Sequence, residues 1–457
     1  MEQPSISVIG IGYVGLGTAV SFAVKGFRVI GSDCDLEKVT KINQGIPPFH
    51  EPDLPALFKE TVENGHFLCL PDQTEKAVLQ TDITYVSVGT PSLPDGSIDL
   101  KFIKAVSRDI GRALRQKNRY HLVVLKSTVI PGTTQNVVKP IVECESEKQC
   151  GEDFGLCMNP EFLRQGSAFH DTFYADRVII GEYGRQSGER LENLYQDFYA
   201  PNVPPIIRTT LSNAELIKYA SNSMLATKIS FINTIANICE KIPGADVKVV
   251  AAAMGLDKRI SPLFLDAGLG YGGSCFPKDV KALIACSKAL DYDPALLCSV
   301  RNVNDTQPLK AVEFCRLGLG DLKGKNIAIL GLAFKPETDD MREARVIPII
   351  NELLHEGASV TAYDPVAGAR AQAIFHDKIK YAKSAIDCLK GSDCCILVTE
   401  WEEFKKLIPE DFVKNMKQPI LIDGRRIYNP EIFSKKMKFM AIGVGLSQNL
   451  KSLRSDS

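Results

Sequence analysis

The chain has 457 residues, room for about three domains at roughly 150 residues each. Lys and Arg total 54 against 55 Asp and Glu, a net charge of -1 that argues against a general nucleic-acid binder. A 45% hydrophobic and 24% charged composition excludes disordered, collagenous and low-complexity classes.

The first element is an apolar stretch from Ile6 to Val24. The preceding Met1-Glu2-Gln3-Pro4 lacks the positive charge of a secretory leader, and Gly10, Gly12, Gly15 and Gly17 interrupt the stretch. It reads as strand, turn and helix, and the chain is expected to be soluble and cytoplasmic, with no membrane association. Thirteen cysteines are scattered, with no CxxC pair and no metal-ligand spacing to His. That pattern suits a reducing compartment and predicts no metal.

The strand Ile6 to Ile9 runs into Gly10-Ile-Gly12-Tyr13-Val14-Gly15, then a helix, then a second strand from Phe27 to Gly31 that ends in Ser32-Asp33. This is the strand–GxGxxG–helix context of a dinucleotide cradle. The glycines permit the turn, the approach of a pyrophosphate and the packing of helix on strand. The helix N-terminus favours phosphate. Asp33 can accept hydrogen bonds from both ribose hydroxyls and would repel a 2′-phosphate, so the cofactor is expected to be NAD.

Further strand ends follow: Ile83 to Val88 leads to Gly89-Thr90-Pro91, His121 to Leu125 to Lys126-Ser127-Thr128, and Phe154 to Met158 to Asn159-Pro160-Glu161. Ligands of open α/β sheets bind beyond such carboxyl ends, although Thr, Asn and Pro also suit ordinary turns. Ser212-Asn-Ala-Glu215 has the capping-box pattern, and no Gly or Pro occurs from there to Ile242. One helix of about 30 residues, about 45 Å long, is predicted. Lys218 and Asn222 share a face of it, while Leu225, Ile229 and Ile232 mark an apolar one. Its length and its apolar residues beyond one face predict a homodimer interface.

The segment Gly268-Leu-Gly270-Tyr-Gly272-Gly273-Ser274-Cys275-Phe276-Pro277-Lys278-Asp279 is the most informative. Glycines cluster where backbone approaches a ligand closely. A cysteine at the end of such a loop, before a helix starting near Asp279 and beside Lys278, is placed to act as a thiolate. The other cysteines read as small core residues. In the last third, Asn326 to Gly331 and Ala358 to Tyr363 repeat the strand-into-glycine and strand-into-aspartate layout, with Cys394 to Val398 and Pro419 to Ile422 as further strands. Lys335 and Arg425 are available there for phosphates. The fold predicted is α/β, with two Rossmann-like parallel-sheet domains joined by a long central helix and a helical middle region. The expected divisions are 1–205 for NAD, 206–315 for dimerisation, 316–440 for a nucleotide-like ligand and 441–457 as a tail.

Several motifs together resemble the UDP-glucose/GDP-mannose dehydrogenase family: Gly10-x-Gly12-Tyr-Val-Gly15, Val88-Gly-Thr-Pro91, Lys126-Ser-Thr128, Asn159-Pro-Glu-Phe-Leu163, Glu215-x-x-Lys218, Gly272-Gly-Ser-Cys275-Phe-x-Lys278-Asp279, Phe334-Lys335 and Asp423-Gly-Arg-Arg426. The resemblance covers about residues 5 to 435. It implies NAD-dependent oxidation of a nucleotide sugar at C6, from alcohol to acid, through a thiohemiacetal and a thioester on Cys275. It further implies that Lys218 and Asn222 support the C6 oxygen, that Asp279 orders water or lysine, and that Thr128 and Glu161 stand near the hydrolytic water. NAD would be held by Gly10, Gly12, Tyr13, Val14, Gly15, Asp33, Lys38, Thr90, Thr128, Lys278 and Arg342. The nucleotide sugar would meet Glu161, Phe162, Leu163, Lys218, Asn222, Arg259, Phe264, Leu265, Gly272, Cys275, Phe276, Lys335 and Arg425. Many relatives carry a second Glu where this chain has Gln165, which is left out of the catalytic set. Relatives acting on GDP-mannose share the Gly-Gly-Ser-Cys loop, whereas those acting on N-acetylated sugars usually carry His before the cysteine, where Ser274 stands here; the resemblance favours UDP-glucose, with GDP-mannose or another nucleotide sugar as the alternative. Two other readings compete. A two-electron hydroxyacid dehydrogenase would need no thiol, and a non-enzymatic NAD sensor would need neither Lys218 nor Cys275.

Overall fold

The structure is a computed structural model that describes residues 3–49, 51 and 54–445. The tail expected at 441–457 lies outside the described residues from 446 onward. The chain divides into two compact units, Met1–Ser221 and Asn222–Ser457.

The first unit is built on one sheet. In chain order its strands are β1 (Ile6–Ile9), β2 (Val29–Asp33), β3 (Phe67–Pro71), β4 (Ile83–Val86), β5 (His121–Leu125), β6 (Phe154–Met158), β7 (Val178–Tyr183) and β8 (Ile206–Thr210). Their spatial order is β3-β2-β1-β4-β5-β6-β7-β8. All neighbours are parallel except β6 and β7, which run antiparallel. The inner strands β1, β4, β5 and β6 are buried along their whole length, because helices cover both faces. Strand order reverses between β1 and β4, so the crevice for a ligand opens at their carboxyl ends.

The second unit holds another sheet, with strands β9 (Asn326–Leu330), β10 (Ser359–Tyr363), β11 (Lys380–Tyr381), β12 (Cys394–Leu397), β13 (Ile420–Asp423) and β14 (Lys438–Ala441). Its order, β11-β10-β9-β12-β13-β14, repeats that of the first six strands of the other sheet. One difference decides what it can bind. Asp364, placed as Asp33 is, has one oxygen occupied by the Leu332 and Ala333 amides and Trp401 Nε1 at 2.7, 3.0 and 3.1 Å. Its other oxygen takes the amides of Val366 and Ala367. A carboxylate so engaged has little capacity left for a ribose, so this sheet lacks the acidic anchor of a dinucleotide site.

Helix Leu211–Cys239 has 29 residues and supplies turns to both units. The capping box expected at Ser212 does not form. The helix begins at Leu211, the Thr210 hydroxyl accepts from the Asn213 amide at 3.2 Å, and the Glu215 carboxylate turns to a different partner. A β-strand ending in threonine leads directly into the helix, so the cap falls two residues earlier than the pattern implies.

Candidate active site

The dinucleotide cradle follows from backbone geometry. Gly10 has φ +87°, and a Cβ on Gly15 would stand 1.9 Å from the Gly10 carbonyl, so only glycine lets the helix approach the turn. Helix Tyr13–Val24 starts at Gly12 with no side chain capping it, and a Cβ at Gly12 would meet nothing within 4 Å. Open space before an uncapped helix end suits a pyrophosphate. Asp33 ends β2, where its carboxylate accepts from the Ile11 amide at 2.8 Å, the Asp35 amide at 3.0 Å and Lys38 Nζ at 2.9 Å. Acceptor capacity remains for ribose hydroxyls, so these residues fit NAD. The Thr90 hydroxyl donates to the Thr128 carbonyl at 2.9 Å, joining two of the expected strand-end loops. Val14 is half-buried at the start of the helix. The Tyr13 side chain also has a partner within the protein. Its hydroxyl bonds Glu51, which also accepts the amides of Gly166 and Ala168 at 2.7 Å each.

Beyond β5 and β6 lies a buried charged cluster. Lys218 Nζ donates to the Glu161 carbonyl at 2.6 Å and to Glu161 Oε1 at 2.8 Å. The two side chains are only 4% and 6% exposed, which makes this an internal ion pair. The Leu163 amide donates to the other Glu161 oxygen at 2.7 Å. Burial raises the Glu161 carboxyl, but the Lys218 charge and hydrogen bond, the Leu163 amide and the Lys126 charge outweigh it and hold the group below its ordinary value. Glu161 is therefore held in its charged form. The Phe162 ring has two cations near it, with Arg177 at 4.2 Å and Lys218 at 5.4 Å from its centre.

Sequence reasoning did not assign a role to Lys126, which reaches this cluster. Its Nζ donates to Asn159 Oδ1 at 2.9 Å, and that oxygen also accepts from the Tyr195 hydroxyl at 2.5 Å. Burial brings the Lys126 ammonium down to about 8; Glu161 opposes this shift and Lys218 adds to it. The available signal was a lysine directly after an unbroken apolar strand, where a side chain has little access to water.

In the second unit, Asn222 Nδ2 donates to Asp279 Oδ2 at 2.7 Å, and Lys278 Nζ to Asp279 Oδ1 at 2.6 Å. Asp279 is 1% exposed, so both bonds are made away from water. Helix Phe276–Ala289 begins three residues earlier than expected, which puts Cys275 itself at the N-cap. Cys275 is exposed, and the Arg342 charge acts on it. The helix end and the guanidinium thus give the sulfur a positive environment. The loop before it is fitted to its surroundings. Gly273 has φ +84° and a Cβ there would lie 2.7 Å from the Phe334 ring; one on Gly272 would lie 2.4 Å from the Glu343 carbonyl. The Gly273 amide donates to the Arg342 carbonyl at 2.9 Å, and Asn304 brackets Tyr271 through both its amide and its carbonyl.

The remaining expected residues of this unit are placed as follows. Phe264 packs 6.3 Å from the Phe276 ring, and Leu265 is buried. Arg425 Nε donates to the Val398 carbonyl at 2.6 Å and pairs with Glu400, and its Nη1 would lie 3.3 Å from a Cβ on Gly268. Lys335 Nζ stands 5.9 Å from the Phe334 ring centre. Arg342 chelates Asp340, and Arg259 is exposed and paired with Asp257. Among the described residues, no group of three or more His, Cys, Asp or Glu could hold a metal ion, and no helix is long and apolar enough to cross a membrane.

Two nucleotide-type sheets, one with a dinucleotide cradle, and a cysteine at a helix end define a class of cofactor-dependent oxidoreductase. Comparison with known proteins specifies it further: this chain belongs to the UDP-glucose/GDP-mannose dehydrogenase family. The family's NAD-binding domain matches residues 4–199, its central domain 212–306 and its UDP-binding domain 328–430. The chain is 44% identical over 427 residues to UDP-glucose 6-dehydrogenase AglM of Haloferax volcanii, covering 92% of this chain and 96% of that protein. It is 42% identical to UDP-glucose 6-dehydrogenase TuaD of Bacillus subtilis, covering 93% and 90%. A solved UDP-glucose dehydrogenase of Pyrobaculum islandicum superposes with a TM-score of 0.89 at 38% identity, covering 97% of this chain and 98% of that one.

Proposed function

We infer that the protein oxidises UDP-glucose at C6 to UDP-glucuronate with two NAD per sugar. The observation that carries this reading is Cys275, exposed at a helix N-terminus on a loop built of glycines. Such a thiol separates an alcohol-to-acid oxidation from one that stops at the aldehyde. NAD, when bound, accepts the hydride at each of the two oxidations. Lys218 and Asn222 support the C6 oxygen as its proton leaves, with Asn222 held by Asp279. Cys275 then adds its sulfur to the aldehyde carbon and the carbonyl oxygen takes up a proton, giving a thiohemiacetal that keeps the carbon covalently bound between the two oxidations. The second oxidation turns this adduct into a thioester. Glu161 and Thr128 serve the water that cleaves it, releasing the carboxylate and restoring the thiol.

Residues 1–205 take NAD in this reading, 206–315 the dimer contact, and 316–440 the nucleotide sugar. The sugar nucleotide carries its charge on the pyrophosphate, which suits Lys335, Arg259 and Arg425. A cytoplasmic setting fits, because Cys275 chemistry needs a reducing compartment. An absorbance assay with a panel of sugar nucleotides at equal concentration tests the substrate. UDP-glucose should give the highest kcat/KM and two NADH per sugar, and a preference for another sugar or a single NADH would refute it. Asp33 predicts kcat/KM with NAD well above that with NADP, and equal or better use of NADP would overturn that expectation.

The homodimer is part of the same reading. Helix Leu211–Cys239 leaves Met224, Phe231 and Ile238, seven residues apart, exposed at 60%, 48% and 49%. A second copy of this chain would cover that stripe. Light scattering at micromolar concentration should return twice the mass of one chain, and a fully active monomer would rule it out.

A further inference from the structure

Glu215 is completely buried, and the reaction described above makes no use of it. Its carboxylate accepts three hydrogen bonds from one short stretch: the Gly132 amide at 2.5 Å, the Thr134 amide at 2.7 Å and the Thr134 hydroxyl at 2.6 Å. That stretch leads into a π-helical turn, Thr134–Val138, and follows Thr128 by a few residues. Wide turns of this kind concentrate at functional sites. On its own helix, Glu215 precedes Lys218 by three residues, so the two side chains leave the same face.

A carboxylate is a costly way to join a helix to a loop, since apolar contact would do so without desolvating a charge. What it adds is direction. Two amides and a hydroxyl converging on one carboxylate fix the loop in register, where packing alone would let it slide. Burial raises the Glu215 carboxyl, and the bonds from Thr134 and Gly132 only partly offset this. Its setting thus penalises the charged form, and the bonds from the loop are what oppose that penalty.

We propose that Glu215 is a positioning residue, which sets the Thr128 loop against the helix turn carrying Lys218 and touches neither substrate nor cofactor. The inference rests on the reading that Lys218 and Thr128 serve the reaction. Glu215→Gln keeps the shape and one acceptor oxygen but places an amide donor among amide donors. It should lower kcat by about 10- to 100-fold, as a small misplacement of reacting groups does. KM for NAD and for UDP-glucose should change by less than about threefold, because the binding contacts remain. Thr134→Val should reproduce part of the loss, and Thr134→Ser, which keeps the hydroxyl, should restore it. A wild-type kcat in Glu215→Gln overturns the proposal, as does a loss in Thr134→Val that Thr134→Ser shares in full. If Glu215→Gln does not fold, the two Thr134 variants decide alone. Lys218→Ala and Thr128→Ala are measured alongside. Full activity in both overturns the reading of the reaction and this inference with it, whereas impaired activity there with an unimpaired Glu215→Gln overturns the positioning role only.

Discussion

Cys275→Ser should abolish steady turnover while leaving the fold intact. The residue is exposed on its loop, so the change should alter stability by less than about 0.5 kcal/mol. A hydroxyl is a far weaker nucleophile than a thiolate, and the helix end and Arg342 supply positive charge without a base to remove its proton. Turnover should fall on the order of 10³-fold or more. Any oxygen ester that forms should be cleaved more slowly than the thioester and accumulate. Intact-protein mass spectrometry after mixing with UDP-glucose and NAD reads that adduct directly. Two NADH per sugar at the wild-type rate in this variant would remove the covalent route from the proposal.

The sequence exposed elements whose stability is local or whose pattern is unbroken. Strands Ile6–Ile9, His121–Leu125 and Phe154–Met158 lie where their apolar runs place them, because each is buried on both faces and bounded by turn residues. Edge and near-edge strands were harder to see. Phe67–Pro71 alternates buried and exposed side chains and ends in proline, and Ile206–Thr210 has no fully buried residue, so neither stands out from a loop. The cysteine loop was legible because glycines report close backbone approach wherever they cluster, and the Phe334 ring and Glu343 carbonyl now account for two of them. Contacts between distant residues left no local trace. Glu161 meets Lys218 across 57 positions, and Glu215 meets Thr134 across 81. The second of these is the reason the capping pattern misled: Ser-x-x-Glu is a local signal, and here a tertiary partner took the carboxylate.

Lys218→Met should cost both chemistry and stability, and the two losses can be separated. In the proposed reaction the ammonium is the donor that meets negative charge on the C6 oxygen, and loss of one such donor lowers kcat by about 10²- to 10³-fold. Its removal also strands the Glu161 carboxylate in a buried site, a defect of about 3–5 kcal/mol when one partner of an internal pair is lost. With Lys218 gone, burial dominates and the Glu161 carboxyl moves upward, since only the Leu163 amide and Lys126 remain against it. Wild-type Glu161 titrates below its ordinary value, so the stabilisation from its charged form is present above the unfolded-state value and fades as pH falls through the folded one. In the variant that loss should begin at higher pH, and the acid limb of the kcat profile should shift the same way. Adding Glu161→Gln removes the stranded charge and should recover most of the lost melting temperature without recovering kcat. Thermal melts and NADH progress curves across pH on the single and double variants measure each part. Near-wild-type turnover in Lys218→Met would exclude the lysine from the chemistry. An unshifted acid limb would show that Glu161 is not the group whose ionisation limits the reaction, since Lys218 supplies the largest of the charges that hold that carboxylate down.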